Sequence, residues 1–264
     1  MFVIQAAIKR PEKQRNKMSK AELPTITTGT SEEYQEKTAW IVSHAMVPNA
    51  MWALFFKDGT NGIGLDAPEE QTLRVYYSIV KEHLAPGIVS GAFITEAGDF
   101  AACAVWWPPG SHARPKELNN EVQGQEEPSL LAAFEREGDQ IKRELVWSKY
   151  GQDYWHLGLL ARDPRKPVVA GAVRAVLQPV VDQAAAERKP IWLVTTSEHA
   201  RDIYQHYGWQ VVRVVTIRGH LQWCMMLYPP AEVRDSEGIH REKRKRVGWA
   251  AWAGRPSMHG TLKT

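Results

Sequence analysis

Two stretches of this 264-residue chain carry side chains whose types and spacing suit chemistry. The first runs Trp155-His-Leu-Gly-Leu-Leu-Ala-Arg-Asp-Pro164 and continues Arg165-Lys-Pro-Val-Val-Ala-Gly-Ala-Val-Arg174. It reads as an apolar strand that feeds a helix through a short turn, with Pro167 suited to the first helical turn. Val168 and Val169 follow, then the small residues Ala170, Gly171 and Ala172. A helix start offers unpaired backbone N–H groups and positive partial charge, and small residues let an anion approach. The turn is therefore a candidate diphosphate cradle. The second stretch, Thr195-Thr-Ser-Glu-His-Ala-Arg-Asp-Ile-Tyr-Gln-His-Tyr-Gly-Trp209, carries a strand end into a short helix bearing Tyr204. A phenol can protonate a leaving group, and the same ring can equally be a packed aromatic. His156, on the first strand, titrates near neutrality and can take a proton from an attacking amine or hydroxyl. A hydrogen-bonded core histidine is the commoner role for a lone imidazole on an apolar strand.

Other candidates are weaker. Trp52 and Phe55-Phe56 near one helix end, with Trp106 and Trp107 on a strand, can line an apolar pocket or simply fill the core. His112 follows Pro108-Pro-Gly-Ser on a loop that can reach such a pocket. Glu198 serves the first turn of its helix, and Glu96 and Asp99 flank a hairpin turn as solvent-facing acids. Lys57-Asp-Gly-Thr-Asn-Gly-Ile-Gly64 is a turn-rich loop without the order of a phosphate loop. The histidines and the two cysteines, Cys103 and Cys224, lack metal-ligand spacing, so no metal is expected.

The elements that position these residues alternate in type. Helices are predicted over Ser31–Trp52, ending near Pro48, over Pro68–Leu84, stopped by Pro86-Gly87, and over Pro128–Val146. Gly91–Glu96 and Asp99–Trp107 read as a hairpin turned at Ala97-Gly98. Then come strand Tyr154–Arg162, helix Val168–Glu187, strand Pro190–Thr196, helix Glu198–Tyr207 and a hairpin of Val211–Ile217 with Trp223–Tyr228. This order predicts one α/β (α+β) domain over residues 24–230, with a largely covered mixed sheet.

Hydrophobic residues make up 44% and charged residues 24%, a globular balance. Six basic against two acidic residues in 1–23, and seven against one in 241–264, leave residues 24–240 at net −7. An acidic body argues against a nucleic-acid-binding face. Residues 1–23 read as a flexible basic arm and 231–264 as a flexible basic tail. The tail run Arg241-Glu-Lys-Arg-Lys-Arg246 is compatible with nuclear import, and the expectation is otherwise a cytoplasmic protein. No apolar run is long enough to span a bilayer, so no membrane partner is expected.

Ser197-Glu-His-Ala-Arg-Asp-Ile-Tyr204 with Tyr207-Gly208-Trp209 is similar to the closing motif N-x-x-A-x-x-L-Y-x-x-x-G-F of the GNAT superfamily of N-acetyltransferases. Leu-Leu-Ala-Arg-Asp-Pro164 resembles that family's strand exit. The likeness spans residues 25–230 as element order and 154–215 as motif, and looks closest to the small-molecule type common in filamentous fungi, which implies secondary metabolism. The resemblance implies a roughly seven-stranded mixed sheet whose central strands splay to receive acetyl-CoA. Backbone groups of Leu160, Ala161 and Arg162 would meet the pantetheine, and the turn from Pro167 to Ala172 the pyrophosphate. Tyr204 would protonate the departing thiolate, and His156 would be the base. Trp52, Phe56, Trp106, Trp107 and His112 would face a small-molecule acceptor. Ala172 fits the family's Q/R-x-x-G-x-G/A loop, whereas Pro167 removes a donor and Ala170 adds a Cβ. Arg165, Lys166 and Arg174 offer compensating charge. The resemblance therefore implies acyl transfer to an amine or hydroxyl. The loop's departures leave open a CoA-independent cyclisation or isomerisation, or ligand binding alone. A protein-modifying acetyltransferase is a third possibility that the aromatic first half does not favour.

Overall fold

The computed structural model describes residues 23–57, 67–111 and 129–229. The basic arm and tail, the glycine-rich loop, His112 and the polar loop after it lie outside the described residues.

Seven strands form one sheet in the order β1-β2-β3-β4-β5-β7-β6. They are β1 (Ile26–Gly29), β2 (Phe93–Ala97), β3 (Ala102–Trp107), β4 (Trp155–Arg162), β5 (Ile191–Thr195), β6 (Gln210–Ile217) and β7 (His220–Leu227). Every neighbouring pair is antiparallel except β4 with β5. That parallel pair is joined by the crossover helix α6 (Ala172–Glu187). The central strands are buried along almost their whole length, which is why they read as continuous apolar runs rather than alternating ones.

One face of the sheet is covered by α1 (Glu32–Met46), α2 (Ala50–Lys57), α3 (Glu69–Val89) and α4 (Leu130–Lys142). Ile94, Cys103, Val105, Trp107, Leu159, Trp192, Val194 and Met226 meet those helices in a common core. The other face carries α6, where Trp106 Nε1 donates to Thr95 Oγ1 and Thr95 donates to the carbonyl of Val176. The helix α7 (Glu198–His206) lies on that second face too, its Arg201 guanidinium 5.1 Å from the Trp223 ring centre. A π-helical turn (Arg143–Trp147) and the short α5 (Ser148–Tyr150) prolong α4.

Several expectations are corrected. The first helix breaks at Val47–Asn49 into α1 and α2, because Pro48 denies a helical N–H. The second runs on through Pro86 to Val89. Pro86 forfeits one bond, but Leu84 and Gly87 are buried in this turn and Ser90 N–H still reaches the Pro86 carbonyl. Glu96 is 5% exposed rather than solvent-facing. Its carboxylate accepts from the Phe100 N–H at 2.6 Å and from the Thr27 hydroxyl, and so closes a turn in which Gly98, Asp99 and Phe100 all have positive φ. Asp99 is exposed as expected. The crossover helix starts at Ala172, four residues later than the pattern suggested, because Gly171 takes the left-handed conformation (φ 81°) at its cap.

Candidate functional site

The site begins with a fork in the sheet. β4 and β5 pair only at Trp155 with Ile191 and His156 with Trp192. Beyond that point β5 follows β7 while β4 follows β3. The β5-facing edge of β4 from Leu157 to Arg162, which includes Leu160 and Ala161, therefore has no strand partner among the described residues. Next to the fork, Val105 pairs with Leu159 and Trp106 with Leu157, so Gly158 is an extra residue on β4. Such a bulge bends its strand and breaks the even ladder. The extra residue also puts His156 and Leu159 on the same face, towards α1–α4.

At the far end of the open edge, Asp163 organises the loop into α6. It is almost fully buried, and its carboxylate accepts from the Arg165 backbone N–H, Nε and Nη2 at 2.9–3.0 Å. Burial alone would raise this carboxyl; the hydrogen bonds and charge of Arg165 outweigh it and hold the pKa below the ordinary value. Arg162 folds onto the carbonyls of Asp163 and Lys166. Pro167, Val168, Val169, Ala170 and Gly171 are exposed ahead of the buried Ala172. Pro167 thus lies in an extended loop and not in the helix. Of the three expected cations, Arg165 is tied to Asp163 and Lys166 to Asp99. Arg174, in the first turn of α6, has only Gln178 as a hydrogen-bond partner among the described residues; burial raises the pKa of the Tyr207 phenol, and the nearby Arg174 charge offsets part of that rise. Leu23 and Pro24 lie beside Gly171, where an added Cβ would stand 3.1 Å from Leu23 Cδ2.

Tyr204 sits on α7, which Ser197 caps by accepting from the Ala200 N–H. The ring packs against Trp209 at 5.7 Å between centres. Its hydroxyl is fully buried and has no hydrogen-bond partner among the described residues, and burial raises its pKa far above the usual phenol value. A buried hydroxyl without a partner costs free energy that a bound group can recover. It also stays protonated at physiological pH and so keeps a proton to donate.

On the α1–α4 side, Trp52, Phe55 and Phe56 from α2 line a cavity of about 320 Å³ with Ile79, Val80, Glu82 and His83 of α3, Leu131 and Glu135 of α4, and Leu159 of β4. Trp107 stands beside it, its ring centre 6.3 Å from His83 and 5.7 Å from His156. A second cavity of about 40 Å³ sits at the fork itself, between His156, Trp192, Val194 and Gln222 below and α4 above. Glu135 borders both cavities. Of the residues named from sequence, Trp52, Phe56, Trp107 and His156 thus gather on one face. Trp106 does not: it lies fully buried beneath α6 on the other face. The sequence reading missed His83, Glu135 and Gln222. His83 continues the series Tyr76, Ile79, Val80 at helical spacing, which is a readable signal. Gln222 carries none, because only the β5–β7 pairing turns it inward.

The arrangement fits an extended acyl thioester carrying a diphosphate. It offers a free strand edge, an exposed loop into a helix start whose Arg174 has no ion-pair partner among the described residues, and a buried phenol that carries a proton. Among the described residues, no group of three or more His, Cys, Asp or Glu can hold a metal ion. No helix there is long and apolar enough to cross a membrane.

The seven-stranded order, the single forked parallel pair and the crossover helix agree with the fold that the GNAT resemblance implied. No protein-family model matches the chain. Increased recombination centers protein 11 of Saccharomyces cerevisiae is 33% identical over 64 residues, which are 24% of this chain and 41% of that protein. The chain thus spans about two fifths of the length of this curated relative. Among solved structures, a histone acetyltransferase HPA2 and related acetyltransferase from Corynebacterium glutamicum matches with a TM-score of 0.48 and 14% identity, over 80% of this chain and 99% of that one. Arylalkylamine N-acetyltransferase 2 of Aedes aegypti matches with a TM-score of 0.47 and 12% identity, over 77% and 98%.

Proposed function

We propose that this protein transfers an acetyl or related acyl group from acetyl-CoA to an amine or hydroxyl of a small apolar molecule. The observation that carries this is the unpaired β4 edge beyond His156, with an accessible helix start at one end and a buried, partnerless phenol on the neighbouring helix. Acetyl-CoA, when bound, supplies the activated acetyl thioester. Leu160, Ala161 and Arg162 offer it backbone groups. The loop from Pro167 to Ala172 meets its diphosphate through the N–H groups of residues 168–171, and Arg174 adds charge. Backbone N–H groups at the fork hold the carbonyl oxygen as negative charge gathers there. His156 takes the acceptor's proton, and Tyr204 donates one to the departing sulfur. Trp52, Phe56 and Trp107 bound the acceptor side.

Calorimetric titration of the purified protein with acetyl-CoA tests this reading. Saturable heat below about 1 mM ligand is expected. Its absence defeats the proposal and favours a second reading, a GNAT scaffold that works without CoA on its own small-molecule ligand. Two observations support that alternative: Arg165 and Lys166 are engaged with acids, and Leu23 sits against Gly171.

A further inference from the structure

One amine at the fork has no task in the transfer. Lys142, the last residue of α4, lines the small cavity there together with His156, Trp192, Val194 and Gln222 of the sheet. Its ammonium faces the Tyr154 ring, 5.7 Å from the ring centre. Glu135 and Asp139 of α4 border the same cavity, but neither forms an ion pair with Lys142, which has no hydrogen-bond partner among the described residues. An ammonium against an apolar ring with no counter-ion in contact loses solvation, and this favours the neutral amine. Burial outweighs the attraction of Asp139 and holds the pKa down to about 8; the residue is partly exposed, which limits the shift. At pH 8 about half of such amines are neutral, against fewer than about 1 in 100 at the ordinary lysine pKa of about 10.4. The cavity also holds an unmet acceptor. Gln222 is 1% exposed, and its wholly buried Oε1 has no partner among the described residues. The volume, about 40 Å³, admits roughly three water-sized atoms at about 10–15 Å³ each, as many as the heavy atoms of an acetyl group.

We infer that Lys142 is a modification site, whose Nζ takes an acetyl group from an activated acyl donor at the fork and keeps it as a stable amide. The neutral amine attacks the carbonyl carbon of the donor, a thioester in the case of acetyl-CoA. The C–N bond forms and the C–S bond breaks. One N–H proton leaves the nitrogen, which His156 on the same cavity can accept, and the sulfur departs with a proton as the free thiol. The product is uncharged and fills the space beside His156. Its one remaining N–H gives the Gln222 Oε1 a donor, which recovers part of the cost of burying that oxygen unpaired. The inference rests on the acyl-transfer reading only in naming acetyl-CoA as the donor; the reactivity of the amine rests on the cavity alone.

The test is peptide mass spectrometry on the full chain after incubation at about pH 8 with acetyl-CoA and, separately, with 4-nitrophenyl acetate, an activated ester that needs no CoA site. Lys142 is expected to gain one acetyl group from either donor about tenfold or more faster than exposed lysines such as Lys149. The larger neutral fraction supplies roughly a hundredfold, and the lower basicity of the amine takes back part of it. In urea the advantage is expected to vanish, because it belongs to the folded cavity. The benzoyl ester of the same phenol, too large for the cavity, is expected to leave Lys142 unmodified. Lys142→Arg keeps the charge and is expected to lose the fast acetyl in the intact mass. Labelling of Lys142 by the ester no faster than Lys149, an advantage that persists in urea, or equal benzoylation overturns the inference. Labelling by the ester alone, with no heat from acetyl-CoA, sinks only the transfer reading. Heat from acetyl-CoA with Lys142 left unmodified sinks only this inference.

Discussion

The indole of Trp107 lies against the imidazole of His156, with ring centres 5.7 Å apart and planes inclined by 37°, and the two residues face each other across the β3–β4 ladder. Gly87 on α3 sets that contact from behind: a Cβ there would stand 2.7 Å from Cζ2 of Trp107. A rigid indole between a helix and a sheet has little room to yield. Gly87→Ala is expected to push the ring towards His156 and to cost about 1–3 kcal/mol. Thermal unfolding measures the loss, and an unchanged melting temperature contradicts it.

The partnerless hydroxyl of Tyr204 gives an opposite pair of expectations. Tyr204→Phe removes a buried group that forms no hydrogen bond among the described residues, so stability stays level or rises by up to about 1 kcal/mol. Under the proposed role, turnover falls by roughly 10²-fold or more while acetyl-CoA affinity changes little. Denaturant melts with a free-thiol release assay read both. A variant that loses stability with unaltered turnover shows a packing role instead.

Asp163 ties the diphosphate loop together, and its behaviour with pH follows from the sign of its shift. The carboxyl titrates below the ordinary value in the folded chain, so its stabilisation is complete above a pKa of about 3.9. It is lost as pH falls through the lower, folded value. Asp163→Asn is expected to be less stable than the parent by about 2 kcal/mol at pH 7. The gap narrows below pH 4. Melting temperatures of the two proteins from pH 3 to pH 7 check this, and a gap independent of pH refutes it.

Gly171 allows the left-handed cap of α6, and its Hα faces Leu23. Gly171→Ala is expected to cost about 1–2 kcal/mol from backbone strain alone. The added methyl also crowds Leu23, so the loop shifts and acetyl-CoA binds more weakly. Calorimetry on a variant that melts only slightly earlier separates the two effects.

Cys103 and Cys224 are both buried, and burial pushes each thiol up to about 12. Neither forms appreciable thiolate at pH 8. Native protein is expected to react with a disulfide reagent only as fast as it unfolds, and both thiols to react at once in denaturant. Rapid native labelling of either residue means that its surroundings are open.

Much of this was legible in the chain itself. The strand–helix–strand order from Trp155 to Thr195 stood out because β4, α6 and β5 are long, apolar and bounded by Asp163-Pro164 and Pro190. Tyr204 was visible through its spacing from Ser197 and Gly208, which cap and end a nine-residue helix. Other features depended on tertiary contacts that local pattern does not encode. Glu96 looked solvent-facing because nothing nearby in sequence announces the three positive-φ residues whose turn it closes. Trp106 and Trp107 are adjacent and equally aromatic, and only the pairing with β4 decides which one reaches the acceptor side. Pro167 looked like the first residue of a helix, yet Gly171 holds the cap four positions later.

The extra residue at Gly158 makes the architecture sensitive to parity. A strand turns alternate side chains to opposite sides, and His156 and Leu159 share a side only because one residue between them drops out of the count. Drawing Gly158 into a regular ladder, with no residue dropped from the count, would spare every helix and loop, yet swap the orientation of all that follows on β4. Leu160 would then face the helices that Leu159 and Ala161 now meet. In this fold a single backbone step, rather than any one side chain, keeps the histidine and the wall of the acceptor cavity in the same room.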